Sequence, residues 1–188
     1  MPGHGDFRAV CRREHGQSLE GSVGFRVESG GAAVGSLDRD EKVALNHGEM
    51  RMTITGGCLC RQIRYESTSD PIITRICWCR VCQYLGAGSG TVNVCFPTAS
   101  FTVYGATTDY RSVADSGNVM HRKFCAACGT PLFSAAEARP HLIFVRAGTL
   151  DDPEIAKPAV TIWTSQAPSW ACVNDEIPKV VRQPPPAA

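Results

Sequence analysis

The chain has 188 residues, 43% of them hydrophobic, which is enough for one domain of ordinary size with a real core and some tail. Its formal net charge is +1 and no basic run stands out, so a nucleic-acid partner is not expected. No apolar stretch reaches membrane-spanning length and the N-terminus lacks the apolar core of a signal peptide, so a soluble, cytoplasmic protein with no membrane partner is the expectation.

Residues 1–49 hold nine of the eighteen glycines and show neither strand nor helix periodicity. Gly30-Gly31-Ala32-Ala33 reads as a flexible spacer and Asp38 to Leu45 as about two helical turns. This segment is expected to be a disordered or loosely packed extension. Met50 and Met52 stand just before the first convincing strand, where the working chain is expected to start. The texture then changes, and residues 50–182 are expected to form the folded domain.

Arg51 to Thr55 is a short β-prone run. In Arg61 to Ser67 the residues Gln62, Arg64 and Glu66 alternate with Ile63 and Tyr65, the pattern of a half-buried strand. Pro71 to Cys77 reads as the next strand, with its proline at the start where a missing N–H does least harm. Arg80 to Leu85 reads as a single helical turn stopped by Gly86. Gly90 to Phe96, Ser100 to Tyr104, Tyr110 to Val113 and Val119 to Phe124 are further short strands. His141 to Arg146 is nearly all apolar and reads as a central strand buried on both faces. Beyond Gly148 the prolines at 153, 158, 168 and 178 predict an arm of loops, and residues 183–188 a proline-rich solvated tail. Many short strands with frequent turn signals predict an all-β domain of antiparallel strands.

The ten cysteines carry the chemistry. Seven fall in three clusters: Cys58-Leu59-Cys60, Cys77-Trp78-Cys79-Arg80-Val81-Cys82 and Cys125-Ala126-Ala127-Cys128. A disulfide framework is disfavoured, because C-x-C closes too small a ring to bridge without strain and occurs twice. Thiolates this close together favour a cation, and Zn²⁺ is usual for sulfur-only sites. Two zinc ions per chain are therefore expected. Cys58, Cys60, Cys125 and Cys128 suit a closed, structural site, with Gly129 letting the backbone turn around the metal. Cys77, Cys79 and Cys82 suit a catalytic zinc with one position left open for a small thiol. The competing reading is a second closed site with Cys95 or His121 as fourth ligand, although Cys95 reads more simply as a core cysteine. Gly86, Gly88 and Gly90 offer backbone N–H groups to a bound carboxylate. Arg122 and Lys123 beside His121 form a small basic group, and Trp163 and Trp170 pack the arm onto the sheet. Cys11 and Cys172 have no partner pattern and receive no role. A thioredoxin-like redox pair at Cys125 and Cys128 lacks the βαβ setting it needs.

With these residues in hand, the chain resembles the glutathione-dependent formaldehyde-activating enzyme family, GFA, over about Thr53 to Val180. The resemblance rests on Gly57-Cys58-Leu59-Cys60 before a strand ending in Arg64-Tyr65, on Cys77-Trp78-Cys79-Arg80-Val81-Cys82, and on Arg122-Lys123-Phe124-Cys125-Ala126-Ala127-Cys128-Gly129. Ala167-Pro168-Ser169-Trp170 and Ile177-Pro178 look like the family's C-terminal arm. The resemblance implies a zinc-binding β-tent with the same division of labour: Cys58, Cys60, Cys125 and Cys128 as structural ligands, and Cys77, Cys79 and Cys82 as catalytic ones. It implies a carbon–sulfur lyase that forms or cleaves S-hydroxymethylglutathione, with a glutathione-like thiol and an aldehyde as small-molecule partners. The family often has His where this chain has Trp78, and usually Gly where it has Arg61. The alternative function is a non-catalytic zinc scaffold that binds a protein partner, as in the GFA-like centromere protein V.

Overall fold

The computed structural model describes residues 53–184, in which short strands dominate. The expectations for residues 1–49 and for the end of the tail lie outside the described residues. A small antiparallel sheet is built from β1 (Ile54–Gly57), β2 (Arg64–Ser67) and β5 (Phe101–Tyr104), in the order β1-β2-β5. The alternation read in β2 is realised: Tyr65 and Ser67 are buried, while Arg64 and Glu66 lie between core and solvent. The strand begins three residues later than the sequence suggested. Cys58 to Ile63 is spent on a turn, closed by Arg61 N–H to the Cys58 carbonyl and Cys58 N–H to the Ile63 carbonyl.

The second sheet has eight strands: β3 (Ile73–Cys77), β4 (Thr91–Pro97), β6 (Thr108–Val113), β7 (Val119–Phe124), β8 (Pro131–Ala136), β9 (Leu142–Arg146), β10 (Val160–Ile162) and β11 (Lys179–Val180). Their spatial order is β11-β10-β3-β4-β9-β8-β7-β6. The domain is all-β as expected, with one short helix, α1 (Arg80–Leu85), ending at Gly86 where the sequence placed its stop. No helix among the described residues is long and apolar enough to cross a membrane.

Two features depart from the sequence reading. Pro131–Ala136, which carried no strand signal, is β8, wedged between β7 and β9. The arm beyond Gly148 is not loops alone. It returns to the sheet as β10, which pairs parallel with β3 and with β11, so the arm is stitched to the strand that carries Cys77.

The faces of the large sheet follow from register, because directly opposed residues point the same way. Val94 opposes Val145, and Val145 opposes Phe133. This row is fully or almost fully buried and joins Ile63, Tyr65, Phe96 and Leu132 in one core. Tyr65, Phe101 and Phe133 meet as one stacked pair and two edge-to-face pairs with centroids 5.2–5.6 Å apart, the geometry aromatic quadrupoles favour. The opposite face carries a different row. Arg75 on β3 opposes Asn93 on β4, and Asn93 opposes Arg146 on β9. Phe144, two residues before Arg146, opposes Ser134, which in turn opposes Arg122 on β7. β9 is therefore central, as its apolar run suggested, but only its Val145 side enters the aromatic core.

Candidate functional site

The cysteines assemble into two groups. In the first, the sulfurs of Cys58, Cys60, Cys125 and Cys128 all lie within 4.8 Å of one another. Cys58 and Cys60 sit in the turn between β1 and β2 of the small sheet, and Cys125 and Cys128 in the turn between β7 and β8 of the large one. The Cys58 and Cys60 sulfurs are 3.5 Å apart, and those of Cys60 and Cys125 3.7 Å. The Ile63 N–H points at the Cys58 sulfur at 3.3 Å, and the Cys128 sulfur is 3.1 Å from the Thr130 hydroxyl. Gly129 has φ +72°, in the left-handed region, with its N–H bonded to the Cys125 carbonyl. An added Cβ would touch nothing there, so glycine is needed for the dihedral and not for space. The Thr130 hydroxyl and N–H hold the Cys128 thiol down at about 5, so it ionises readily.

The second group is Cys77, Cys79 and Cys82, again with all sulfurs within 4.8 Å. Cys77 ends β3. Cys79 caps α1, its sulfur accepting the Cys82 N–H at 3.4 Å. Cys82 lies on the first turn of α1, so C-x-x-C here is one helical turn that folds the two sulfurs together. All three are buried, in a second apolar cluster with Trp78, Ile162 and Trp163. Three sulfurs so close cannot all ionise without a cation. Hydrogen bonds with Cys77 and Cys79 push the Cys82 thiol well down, while those with Cys79 and Cys82 push Cys77 far up. A donor set that shares protons in this way fits a bound metal ion, which would replace them.

The remaining sequence candidates fall elsewhere. Cys95 is a buried strand cysteine that belongs to neither group, as its core reading anticipated. His121 faces Asp109 at 2.5 Å and Glu137 at 3.2 Å, so it meets carboxylates and no sulfur. Neither Cys95 nor His121 therefore joins the three-sulfur group. Gly86, Gly88 and Gly90 do not line the cavity beside the thiols. Gly90 serves packing: an added Cβ would come within 2.9 Å of the Trp78 ring. Trp170 is largely exposed, whereas Trp163 is buried and lines the cavity. Trp163 holds φ +59°, an unfavourable conformation for a bulky residue, with its indole N–H donating to Gln183 at 3.2 Å. The arm also clamps the cysteine loop directly: the Trp78 N–H donates to the Ile162 carbonyl, and the buried Gln83 amide donates to the carbonyls of Trp78 and Gln166.

The cavity beside the three thiols has a volume of about 120 Å³. Besides Cys77, Cys79 and Cys82 it meets Met120, Phe144 and Trp163, and four arginines: Arg75, Arg122, Arg139 and Arg146. Only Arg122 had been singled out from the sequence. Burial pulls the Arg146 and Arg75 guanidinium pKa values down, against the Cys82 and Cys95 thiols respectively, which hold them up.

The fold and the two sulfur groups define an all-β domain with two candidate metal centres. The chain belongs to the glutathione-dependent formaldehyde-activating enzyme family, whose sequence profile matches residues 53–166. No curated protein sequence matches it significantly. Among solved structures it is similar to a Rhodobacter sphaeroides protein determined as a structural-genomics target, at 18% identity and a TM-score of 0.44, covering 66% of this chain and 98% of that one.

Proposed function

We propose that the protein is a zinc-dependent carbon–sulfur lyase that forms or cleaves the adduct of a small thiol with an aldehyde, S-hydroxymethylglutathione being the adduct its family membership suggests. The observation that carries this reading is the contrast in donor number. Cys58, Cys60, Cys125 and Cys128 bring four sulfurs together, the number a tetrahedral site takes, whereas Cys77, Cys79 and Cys82 are three sulfurs opening on a cavity. Sulfurs bound at about 2.3 Å around one zinc stand about 3.8 Å apart, and the separations of 3.5 and 3.7 Å in the four-sulfur set suit that ion. Cys58, Cys60, Cys125 and Cys128 would hold the structural ion, and Cys77, Cys79 and Cys82 the catalytic one. A zinc ion with an open position supplies charge that favours thiolate over thiol near neutral pH and polarises a carbonyl.

The reaction itself is balanced without any redox partner. The substrate sulfur bonds to the aldehyde carbon, and the thiol proton ends on the aldehyde oxygen. The cavity orients both reactants and excludes water, with Trp163, Phe144 and Met120 as its apolar walls. The Arg80 backbone N–H, bonded to the Gln166 side-chain carbonyl at 2.9 Å, fixes the start of α1 and with it the Cys79 and Cys82 sulfurs. A cytoplasmic location goes with this reading, because cysteines that serve as metal ligands are kept reduced there.

The test is adduct formation from glutathione and formaldehyde, followed by NMR against the spontaneous reaction. The full chain should accelerate it, and Cys79→Ser should return it to the uncatalysed rate. Equal rates with the unaltered protein and with Cys79→Ser would refute the reading.

A further inference from the structure

The arginine row on the sheet face beside the three thiols is not accounted for by the chemistry above. Arg75 and Arg146 are 8% and 9% exposed. Neither is in an ion pair among the described residues, and nor are Arg122 and Arg139. The Nε atoms of both Arg75 and Arg146 are buried and have no hydrogen-bond partner. Arg146 donates from Nη2 to the Ser134 hydroxyl at 2.6 Å, and Arg122 donates to the Ser112 hydroxyl. The Arg139 guanidinium lies over the Phe144 ring, 6.0 Å from its centroid. Neutral hydroxyls and a ring satisfy donors but do not neutralise charge. A buried guanidinium without an anion carries a large desolvation penalty.

A charge count makes the point. Three thiolates around a divalent ion carry one net negative charge, and Asp115, the only carboxylate lining the cavity among the described residues, carries another. Four arginines exceed these by two positive charges. The excess lies on a row fixed by strand register, with Arg75 and Arg146 flanking Asn93 on the central strands. The Asn93 amide between them donates to the Thr91 carbonyl and hydroxyl, so the donors left free on this row are those of the arginines. Such a row is pre-organised, since side chains on packed strands have little freedom to lose on binding. A guanidinium fork matches a carboxylate in shape as well as charge.

We propose that this cavity is a carboxylate-binding pocket, with Arg75 and Arg146 as its anchors, that restricts the enzyme to substrates carrying an acid group. The proposal rests on the lyase reading for the identity of the site. The carboxylate has two possible sources: the thiol carrier, or an aldehyde partner that is itself a 2-oxo acid. Either would put its anion on the arginine row while its reacting atom faces the sulfur group. Arg75 and Arg146 act as specificity-determining residues.

Titration calorimetry on the full-length, metal-loaded chain tests this with two pairs of probes. S-methylglutathione is compared with its dimethyl ester, and oxamate with neutral oxamide. None of the four offers a thiol, so binding reads the arginines and not thiol capture by the metal. At least one acid should bind tenfold or more tighter than its neutral twin. A preference in the glutathione pair assigns the pocket to the thiol carrier, and one in the oxamate pair assigns it to the aldehyde partner. Arg75→Met and Arg146→Met should each reduce that preference at least fivefold with both metals retained. Equal affinities within both pairs, including no binding by any probe, overturn the proposal. So does a preference that survives both substitutions. The comparison of acid with neutral twin uses the unaltered chain, so it decides the matter even if a variant does not fold. Acid preference without adduct formation would sink the lyase reading alone, and adduct formation without acid preference would sink the pocket alone.

Discussion

The two sulfur groups place one residue type in opposite settings. The four-sulfur group draws two ligands from the turn β1–β2 of the small sheet and two from the turn β7–β8 of the large one, so closing it joins two sheets. Two of its cysteines, Cys58 and Cys125, belong to the aromatic core. The three-sulfur group lies within one sheet end and one helical turn, and it opens on a cavity lined by arginines. Ligands recruited from distant segments stabilise a fold. Ligands from one short segment, left one short of a tetrahedron, stabilise it less and leave a position for chemistry.

If that division is right, substitutions should separate the groups sharply. Cys125→Ser should have the largest effect. Closed sulfur sites of this kind are worth about 10–16 kcal/mol in small peptides, against a total domain stability of about 5–15 kcal/mol. The variant should be insoluble or unfolded, which soluble yield and circular dichroism would report. Cys79→Ser should instead leave a folded protein that has lost one metal and its turnover. Serine is a good helix cap, so α1 keeps an acceptor for the Cys82 N–H. Equal loss of soluble yield in the two variants would erase the distinction.

Smaller effects sharpen the picture around each group. Gly90→Ala would place a methyl 2.9 Å from the buried Trp78 ring, beside the three-sulfur group. Such overpacking costs about 1–3 kcal/mol, visible as a lower denaturation midpoint and as a displaced Trp78 fluorescence. Arg61, in the turn of the four-sulfur group, holds φ +64°. A left-handed conformation costs a residue with a side chain about 1–2 kcal/mol, and glycine gives part of that back through its freer unfolded chain. Arg61→Gly should therefore raise stability by about 0.5–1 kcal/mol.

The smallest effect concerns His121, whose ring meets the carboxylates of Asp109 and Glu137. Asp109, and then Glu137, raise its pKa above the ordinary histidine value. The charged pairings are complete below the unfolded-state pKa and are lost as pH rises through the raised one. The unaltered chain should show a slight fall in melting temperature over that interval, absent in His121→Gln.

Much of this architecture was legible in the sequence, for local reasons. The cysteine motifs announced themselves because each pair closes within one turn, where spacing alone determines which sulfurs can meet. The limits of α1 were legible because Gly86 stops it, and the presence of β2, though not its start, because Tyr65 alternates with Arg64 and Glu66. What escaped was non-local. Pro131–Ala136 is poor in strand-forming residues and is a strand only because β7 and β9 pair with it on either side. β10 and β11 are too short and too interrupted by proline to show a pattern. The arginine row was invisible because Arg75 and Arg146 each look like an ordinary polar position in a strand, and only strand register through Asn93 aligns them. The one available signal was Arg146, a charge closing an otherwise apolar central strand.

The central claim is that one sulfur group is closed and the other open. Native mass spectrometry of the purified full-length protein, titrated with glutathione, tests it most directly. The account predicts two zinc ions per chain and one added glutathione with both ions retained, and for Cys79→Ser one zinc and no adduct. Two zinc ions with no glutathione bound at any concentration, or an adduct undiminished in Cys79→Ser, would contradict it.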